Sequence, residues 1–314
     1  MTEEIQEEFT PPRFDKIAVV AALLMLVAVQ IVAAQRIGWV LEYPLDDVYI
    51  HLAMASEIAR GGYGVNSGEF ASAASSALYP VLLTPFPDSG LQRLLPLFWN
   101  VLGLGLCAWL WGRALIWAGY RGLAGWVLAI GVPVFTGSVS TSYVGMEHTL
   151  HAAASIAIVF GLARVLVEDR LNALLFVGIL FSPLFRFEGL ALCTLAIFVL
   201  AFRGRYFAAI LGGVVAFVPI GLFVYYLLSL GLDPLPNSVQ AKLVSNDDRY
   251  FLPEQDVWYI DCEPVKVRRN CDPDTDRGGL VVCKSGANGR KPGNRYVWRC
   301  GQRRRRRGAC LYNL

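Results

Sequence analysis

Charge is what this chain has least of. Of its 314 residues, 17% are Asp, Glu, Lys or Arg and 55% are hydrophobic, whereas a soluble domain carries roughly 25% charged residues. The deficit is uneven, because 15 of the 28 Lys and Arg residues lie after Ser245. Residues 17–232 are therefore sparsely charged, which excludes an ordinary soluble domain there. The formal net charge of +3 then says little about partners, and no nucleic-acid partner is implied. A small-residue cleavage site is also missing after the first apolar run, Ile17 to Val40. That run follows acidic residues (Glu3, Glu4, Glu7, Glu8) rather than basic ones and is too long for a signal-peptide core. It reads as a retained transmembrane helix behind a cytoplasmic tail, 1–16. The seven cysteines include no Cys-x-x-Cys pair, so no zinc spacing is present.

What is present is a series of apolar runs. A bilayer-crossing helix needs about 20 mostly apolar residues. Candidates are 17–40, 91–118, 121–142, 146–167, 171–186 (short), 187–202 and 206–231. Backbone groups in hydrocarbon must be bonded internally, so these are helices. The fold expected is all-α: a polytopic integral membrane protein of about seven transmembrane helices, with the membrane domain over 17–245.

Arginines orient it. Arg113 with Arg121, Arg164 with Arg170, and Arg203 with Arg205 flank alternate loops, which places those loops and the N-terminus inside. The opposite ends carry Asp46-Asp47, Gly145-Met146-Glu147, Arg186-Phe187-Glu188-Gly189 and Pro236-Asn237-Ser238. Carboxylates beside hydrocarbon are costly to keep, so several at one face point to a site there.

The first outer loop, 41–90, is the longest in the apolar part, and loops of that length are functional or disordered. Pro44 and Asp46 give a helix start and Gly61-Gly62 a stop, while Val48, Leu52, Ala55 and Ile58 recur at helical spacing. This predicts an amphipathic juxtamembrane helix with the two aspartates at its N-terminus, where the helix dipole favours negative charge. Ser72 to Thr84 is small and then apolar, and suits a second surface helix or a re-entrant piece. The plain reading of Asp46-Asp47 is a helix cap plus a solvated acid. The chemical reading is a base that takes a proton from an attacking hydroxyl, or a carboxylate pair that holds a divalent cation against a phosphate.

With these motifs in hand, the chain resembles the GT-C glycosyltransferases that use polyprenyl-phosphate sugars, in particular the bacterial arabinofuranosyl- and mannosyltransferase-like members. Asp46-Asp47-Val48-Tyr49-Ile50 and the turn Gly61 to Glu69 match the family's first outer loop. Gly145-Met146-Glu147 matches its Gly-Met-Glu motif, and Arg186 to Gly189 its Arg-Pro-Glu-Gly motif with Phe187 for Pro. Pro236 to Lys242 matches its Pro-Asn-Ser/Thr motif ending in Ala-Lys. Departures are Ala53, Met54 and Glu57 where an Arg-Tyr pair and an Asn are usual, Ser76-Ala77 for a Ser/Thr-Pro step, and His148 for Thr.

The resemblance implies an inverting transfer of a sugar from a polyprenyl-phosphate donor to an acceptor hydroxyl on an envelope glycan, lipid or protein. The site would lie on the periplasmic side of a bacterial plasma membrane. It implies Asp46 or Asp47 as base, with a divalent ion (Mg, Mn or Ca) as the cofactor those two could hold. Arg186 and Lys242 would contact phosphate, with Glu147, Glu188 and Asn237 completing the substrate site. The competing classes are a transporter or flippase for lipid-linked glycans, and a non-catalytic membrane protein. Transporters tend to place charge near the midplane within internal repeats, and no repeat is found in this sequence.

Glu147, His148 and His151 can share a helix face. They suit a metal site, though a polar helix start is the plainer reading. The tryptophans suit an interfacial belt, while Tyr49, Tyr63 and Tyr143 could stack on a sugar. From Asn246 the chain turns Arg-, Gly- and Cys-rich, with five cysteines and a run Arg303 to Arg307. A polybasic run on the outer side opposes the usual bias. The preferred expectation for 246–314 is an irregular, non-native ending produced by a frame shift or truncation. The others are a disulfide-bonded cap or a basic tail.

Overall fold

A computed structural model describes residues 13–234, which lie within the first of two compact units, Met1–Asp247. The expectations placed on Asn237, Lys242 and 246–314 fall outside the described residues. All regular structure among the described residues is helical: α1 (Phe14–Arg36), α2 (Asp47–Ala59), α3 (Tyr79–Leu82), α4 (Leu95–Trp117), α5 (Gly122–Phe135), α6 (Ser138–Val144), α7 (His148–Glu168), α8 (Ala173–Phe185), α9 (Gly189–Phe202) and α10 (Tyr206–Ser229).

Five helical stretches are long and apolar enough to cross a membrane: Phe14–Arg36, Gln92–Trp117, Gly122–Val144, His148–Glu168 and Tyr206–Ser229. Their outward residues are unlike those of a soluble protein. Val20, Leu24 and Val32 on α1, and Phe207, Ile210 and Leu222 on α10, are all more than half exposed. A helix apolar on every side is stable only inside a large core or in lipid.

The expected run 121–142 is two helices. Gly137 takes a left-handed φ of +70° between α5 and α6, and Pro133 near the end of α5 withholds one backbone donor. The runs expected at 171–186 and 187–202 are the short helices α8 and α9, 13 and 14 residues long. At a rise of about 1.5 Å per residue each reaches only some 20 Å, so neither by itself has the length of a full crossing.

Two packed halves make the bundle. Phe14, Ala18, Leu26, Leu104, Ala108 and Ala129 form one buried cluster across α1, α4 and α5. Ile158, Leu175, Ile179, Cys193, Leu200 and Ala216 form another across α7 to α10. α4 against α7 joins them. Small residues permit the close approach: a Cβ on Gly178 would stand 2.7 Å from the Ala154 carbonyl oxygen, so α7 and α8 meet backbone to backbone there.

Two of the arginine-bearing loops meet each other. Arg205 pairs with Asp169 at 2.6 Å and donates to its carbonyl, which ties the turn after α7 to the turn after α9. Arg205 holds the Asp169 carboxyl below its ordinary value.

Candidate functional site

The opposite ends of α7 and α8 meet the loop between α1 and α4. α2 begins at Asp47, as its start signals require, and stops before Gly61, whose φ of +86° ends the helix. It is more buried than a helix lying on a surface. Val48, His51, Leu52, Met54, Ala55, Ser56 and Glu57 are all covered. Val48, Leu52 and Ala55 pack with Tyr43, Tyr79, Met146, Leu150 and Phe185. The stretch from Ser72 to Thr84, expected as a second surface helix or re-entrant piece, holds one short turn, α3. It is anchored where the Ser76 hydroxyl and the Leu78 amide both donate to the Leu184 carbonyl. Pro183 lies beside that carbonyl near the end of α8.

Gly145 turns the chain from α6 into α7. Its φ is +85°, its carbonyl accepts from the Tyr79 hydroxyl at 2.6 Å, and the Tyr43 ring lies where a side chain would project. Glycine is therefore required here for both conformation and space. Burial pushes the hydroxyls of Tyr43 and Tyr79 well above their ordinary range, so both stay protonated donors. Asn100, fully buried on α4, accepts from Thr149 at 2.8 Å and donates to the Pro96 carbonyl. This polar floor fixes the start of α7.

On it stands Glu147, 0% exposed. A buried carboxylate survives only if paired and hydrogen-bonded, and four groups surround this one. Arg186 Nη1 donates to Oε1 at 3.1 Å, and the Ser75 hydroxyl donates to the same oxygen at 3.0 Å. His51 Nε2 lies 3.6 Å from Oε2, and His148 Nδ1 lies 3.9 Å from Oε1. Oε2 accepts no hydrogen bond from the described residues. Arg186 also meets His148 Nε2 at 3.3 Å and donates through Nη2 to Glu188 at 2.9 Å. The partners differ in exposure: 17% for Arg186 and 62% for Glu188. His151, one turn along α7, places Nδ1 3.1 Å from the Ser182 carbonyl. The chain's three histidines are thus spread around this one end.

His51 is buried, and desolvation lowers its pKa below 6.5 against the opposing pull of Glu147. The ring is held neutral in spite of the carboxylate beside it.

The expected residues fall out as follows. Glu147, Arg186 and Glu188 are brought into one connected cluster. Asp46 precedes α2 and Asp47 opens it, and both are exposed. Asp46 occupies the N-cap position of α2 without a side-chain capping bond, and the exposure of both aspartates is what a solvated acid pair would show. Asp47 stands four residues before His51 and therefore near it along α2, but only His51 approaches Glu147. Tyr63, one of the tyrosines that could have stacked on a sugar, is core instead. It is 5% exposed between Phe223 and Tyr226, and burial raises its hydroxyl to about 12. Tyr49 spends its hydroxyl oxygen on the Tyr43 amide.

Sequence reasoning missed His51, Ser75 and Ser182. His51 carried a usable signal, being one of three histidines and one helical turn after Asp47. The serines carried none.

Among the described residues no group of three or more His, Cys, Asp or Glu side chains is arranged to hold a metal ion. Asp46 and Asp47 still offer adjacent oxygen donors of the kind hard divalent cations take, and substrate oxygens and water would have to complete such a shell. An apolar groove of about 500 Å³ runs along α1 from Leu23 to Ile37 and is also lined by Glu42 and Tyr143.

The architecture and the site define a helical protein with five helical stretches long and apolar enough to cross a membrane and a charged cluster at one end of α7 and α8. No protein-family model, no curated protein and no solved structure matches this chain.

Proposed function

We propose that this chain is a membrane glycosyltransferase that moves a sugar from a polyprenyl-phosphate donor to a hydroxyl of an envelope glycan, lipid or protein, with inversion. The observation that carries the reading is the convergence of three separate sequence motifs. The loop helix with Asp46-Asp47, the start of α7 with Glu147 and the end of α8 with Arg186 are linked through His51, Glu147 and Arg186. In this reading the short helices α8 and α9 complete seven crossings where the bilayer thins locally around them. The cluster faces away from the cytoplasm of a bacterial inner membrane, and the arginine loops face in.

The chemistry follows from those groups. The acceptor oxygen attacks the anomeric carbon as the carbon–oxygen bond to the lipid phosphate breaks. The acceptor proton passes to Asp46 or Asp47, both exposed to the loop surface and so reachable by an entering hydroxyl. The departing phosphate takes hydrogen bonds from Arg186, whose exposed partner Glu188 can swing aside, while buried Glu147 keeps the guanidinium oriented. Lys242 and Asn237 are assigned to the donor phosphate and sugar by the motif resemblance. A divalent ion on the aspartate pair would supply further neutralisation of phosphate charge. The groove along α1 suits the apolar lipid tail, since its lining is dominated by Leu, Val, Ile and Ala side chains.

The test is transfer of labelled sugar from a panel of polyprenyl-phosphate donors, using wild type and the D46N and D47N variants in membranes. Loss of transfer by at least about 100-fold in one variant, with expression unchanged, is expected of a missing general base. Unchanged transfer in both variants and in the double variant overturns the reading. Export of intact donor without transfer would instead favour the flippase class.

A further inference from the structure

We propose that the junction between the turn after α7 and the turn after α9 binds the headgroup of an anionic phospholipid through Arg170 and Arg203. The inference stands apart from the glycosyl-transfer reading and needs only that these helices sit in a bilayer.

Four arginines and two carboxylates belong to this junction, and the carboxylates are already engaged. Glu168 accepts from Arg164 Nε at 3.2 Å and Nη2 at 3.0 Å on one oxygen, and from the Trp117 indole on the other. Asp169 takes Arg205 at 2.6 Å, and Arg205 also donates to the Asp169 carbonyl. Arg170 directly follows Asp169, and Arg203 stands two residues before Arg205, so this one ion pair draws both into the junction. Arg205 chiefly, and Arg203 after it, hold the Asp169 carboxyl below its ordinary value. The Arg203 charge is therefore felt at the same carboxylate. Arg170 and Arg203 are themselves exposed, and their guanidinium groups make no hydrogen bond or ion pair among the described residues. The junction thus keeps two positive charges that the fold does not use.

Orientation in the membrane is served by any arginine on this side, so it does not account for two left unpaired at one place. An exposed guanidinium can grip a phosphate with two parallel hydrogen bonds. The surroundings select the kind of phosphate. Phe202 precedes Arg203 and is 84% exposed, while Tyr206 and Phe207 follow Arg205 and are 67% and 80% exposed. Charge bordered by outward-facing rings at the ends of two helices matches an amphiphile, with its phosphodiester on the arginines and its acyl chains against the rings. A soluble phosphate would meet the charge and leave the rings in water. Phosphatidylcholine carries an ammonium that offsets its own phosphate, so a lipid with net negative charge fits better.

Native mass spectrometry of the full chain in detergent tests this, with phosphatidylglycerol as probe and phosphatidylcholine of the same tails as comparator. Phosphatidylglycerol should bind roughly 30-fold more tightly, at about fivefold for each arginine. The R170Q/R203Q variant, which alters two exposed side chains, should erase that preference. The charge-matched K16Q/R113Q variant should keep it, because those two exposed residues lie on α1 and α4, in the other packed half. Equal binding of the two lipids by wild type, or a preference retained in R170Q/R203Q, overturns the proposal. An equal loss in K16Q/R113Q would mean diffuse charge attraction and overturns it as well. Displacement of the lipid by an equal concentration of glycerol 3-phosphate would make the occupant a soluble phosphoester instead, and so contradict the lipid assignment.

Discussion

Arg186 donates to Glu147 over 3.1 Å, binding the C-terminal end of α8 to the residue just before α7 across 39 positions of sequence. The bond is unequal in surroundings, since the carboxylate is fully buried and the guanidinium is 17% exposed. Glu188 on the other arm stands in solvent. One arginine therefore joins a buried carboxylate to an exposed one.

That inequality sets the cost of removal. Arg186→Gln strands a buried carboxylate and should destabilise by about 3 kcal/mol, the range for breaking a buried pair. Glu188→Gln should cost less than about 1 kcal/mol, as exposed pairs do. A double-mutant cycle by thermal unfolding in detergent checks this, with Glu147–Arg186 coupling several times that of Arg186–Glu188. Equal coupling would mean that burial does not govern the cluster.

Arg186→Lys keeps the charge and loses the planar fork. One ammonium cannot reproduce a guanidinium held at Glu147 by Nη1 and at Glu188 by Nη2. Transfer from the lipid-phosphate donor should fall by at least about tenfold, one lost charge-assisted hydrogen bond being worth roughly 1.5–3 kcal/mol, while the fold persists. Full activity in R186K would remove Arg186 from phosphate recognition.

Gly145→Ala should be costly although it adds one methyl group. The position has φ +85°, and the added carbon would enter the Tyr43 ring. Left-handed strain and overpacking together predict a loss of about 2–4 kcal/mol, read as a lowered Tm. Gly105→Ala, where a Cβ meets nothing within 4 Å, is the matched control and should leave Tm nearly unchanged.

The motif glycine and the arginine were legible in sequence because each had a distinctive neighbour pattern. The limits of α2 were legible too, since Pro44, Asp46 and Gly61-Gly62 are strong punctuation. The α5–α6 break was not, because Val132-Pro133-Val134 sits in an unbroken apolar run and the turn depends on Gly137 adopting a positive φ. Nor was the depth of α2. Amphipathic spacing reads alike for a helix on a surface and for one capped by Tyr79, Met146 and Phe185. Tyr63 was misread for a related reason: its ring packs on Phe223 and Tyr226, 160 residues or more further along, and local pattern carries no trace of so distant a partner.

His51 predicts a pH dependence. Its folded-state pKa lies below 6.5 because burial opposes charging. At a pH between the folded value and 6.5 the unfolded chain binds more protons, so stability falls as pH drops below about 6.5 and levels off below the folded value. Thermal unfolding between pH 7.5 and 5 should show that decline, and His51→Gln should flatten it. An identical slope in the variant would assign the effect to another group.

The central claim is that the ends bearing Asp46, Glu147 and Glu188 face one compartment, opposite the loops bearing Arg121, Asp169 and Arg205. Single cysteines at the exposed positions 46, 188, 121 and 169, introduced after serine replaces the native cysteines, can be labelled in intact cells and in inverted vesicles with a membrane-impermeant thiol reagent. Positions 46 and 188 should react together in intact cells, with 121 and 169 reacting only in inverted vesicles. Labelling of 46 and 188 from opposite sides would contradict the account.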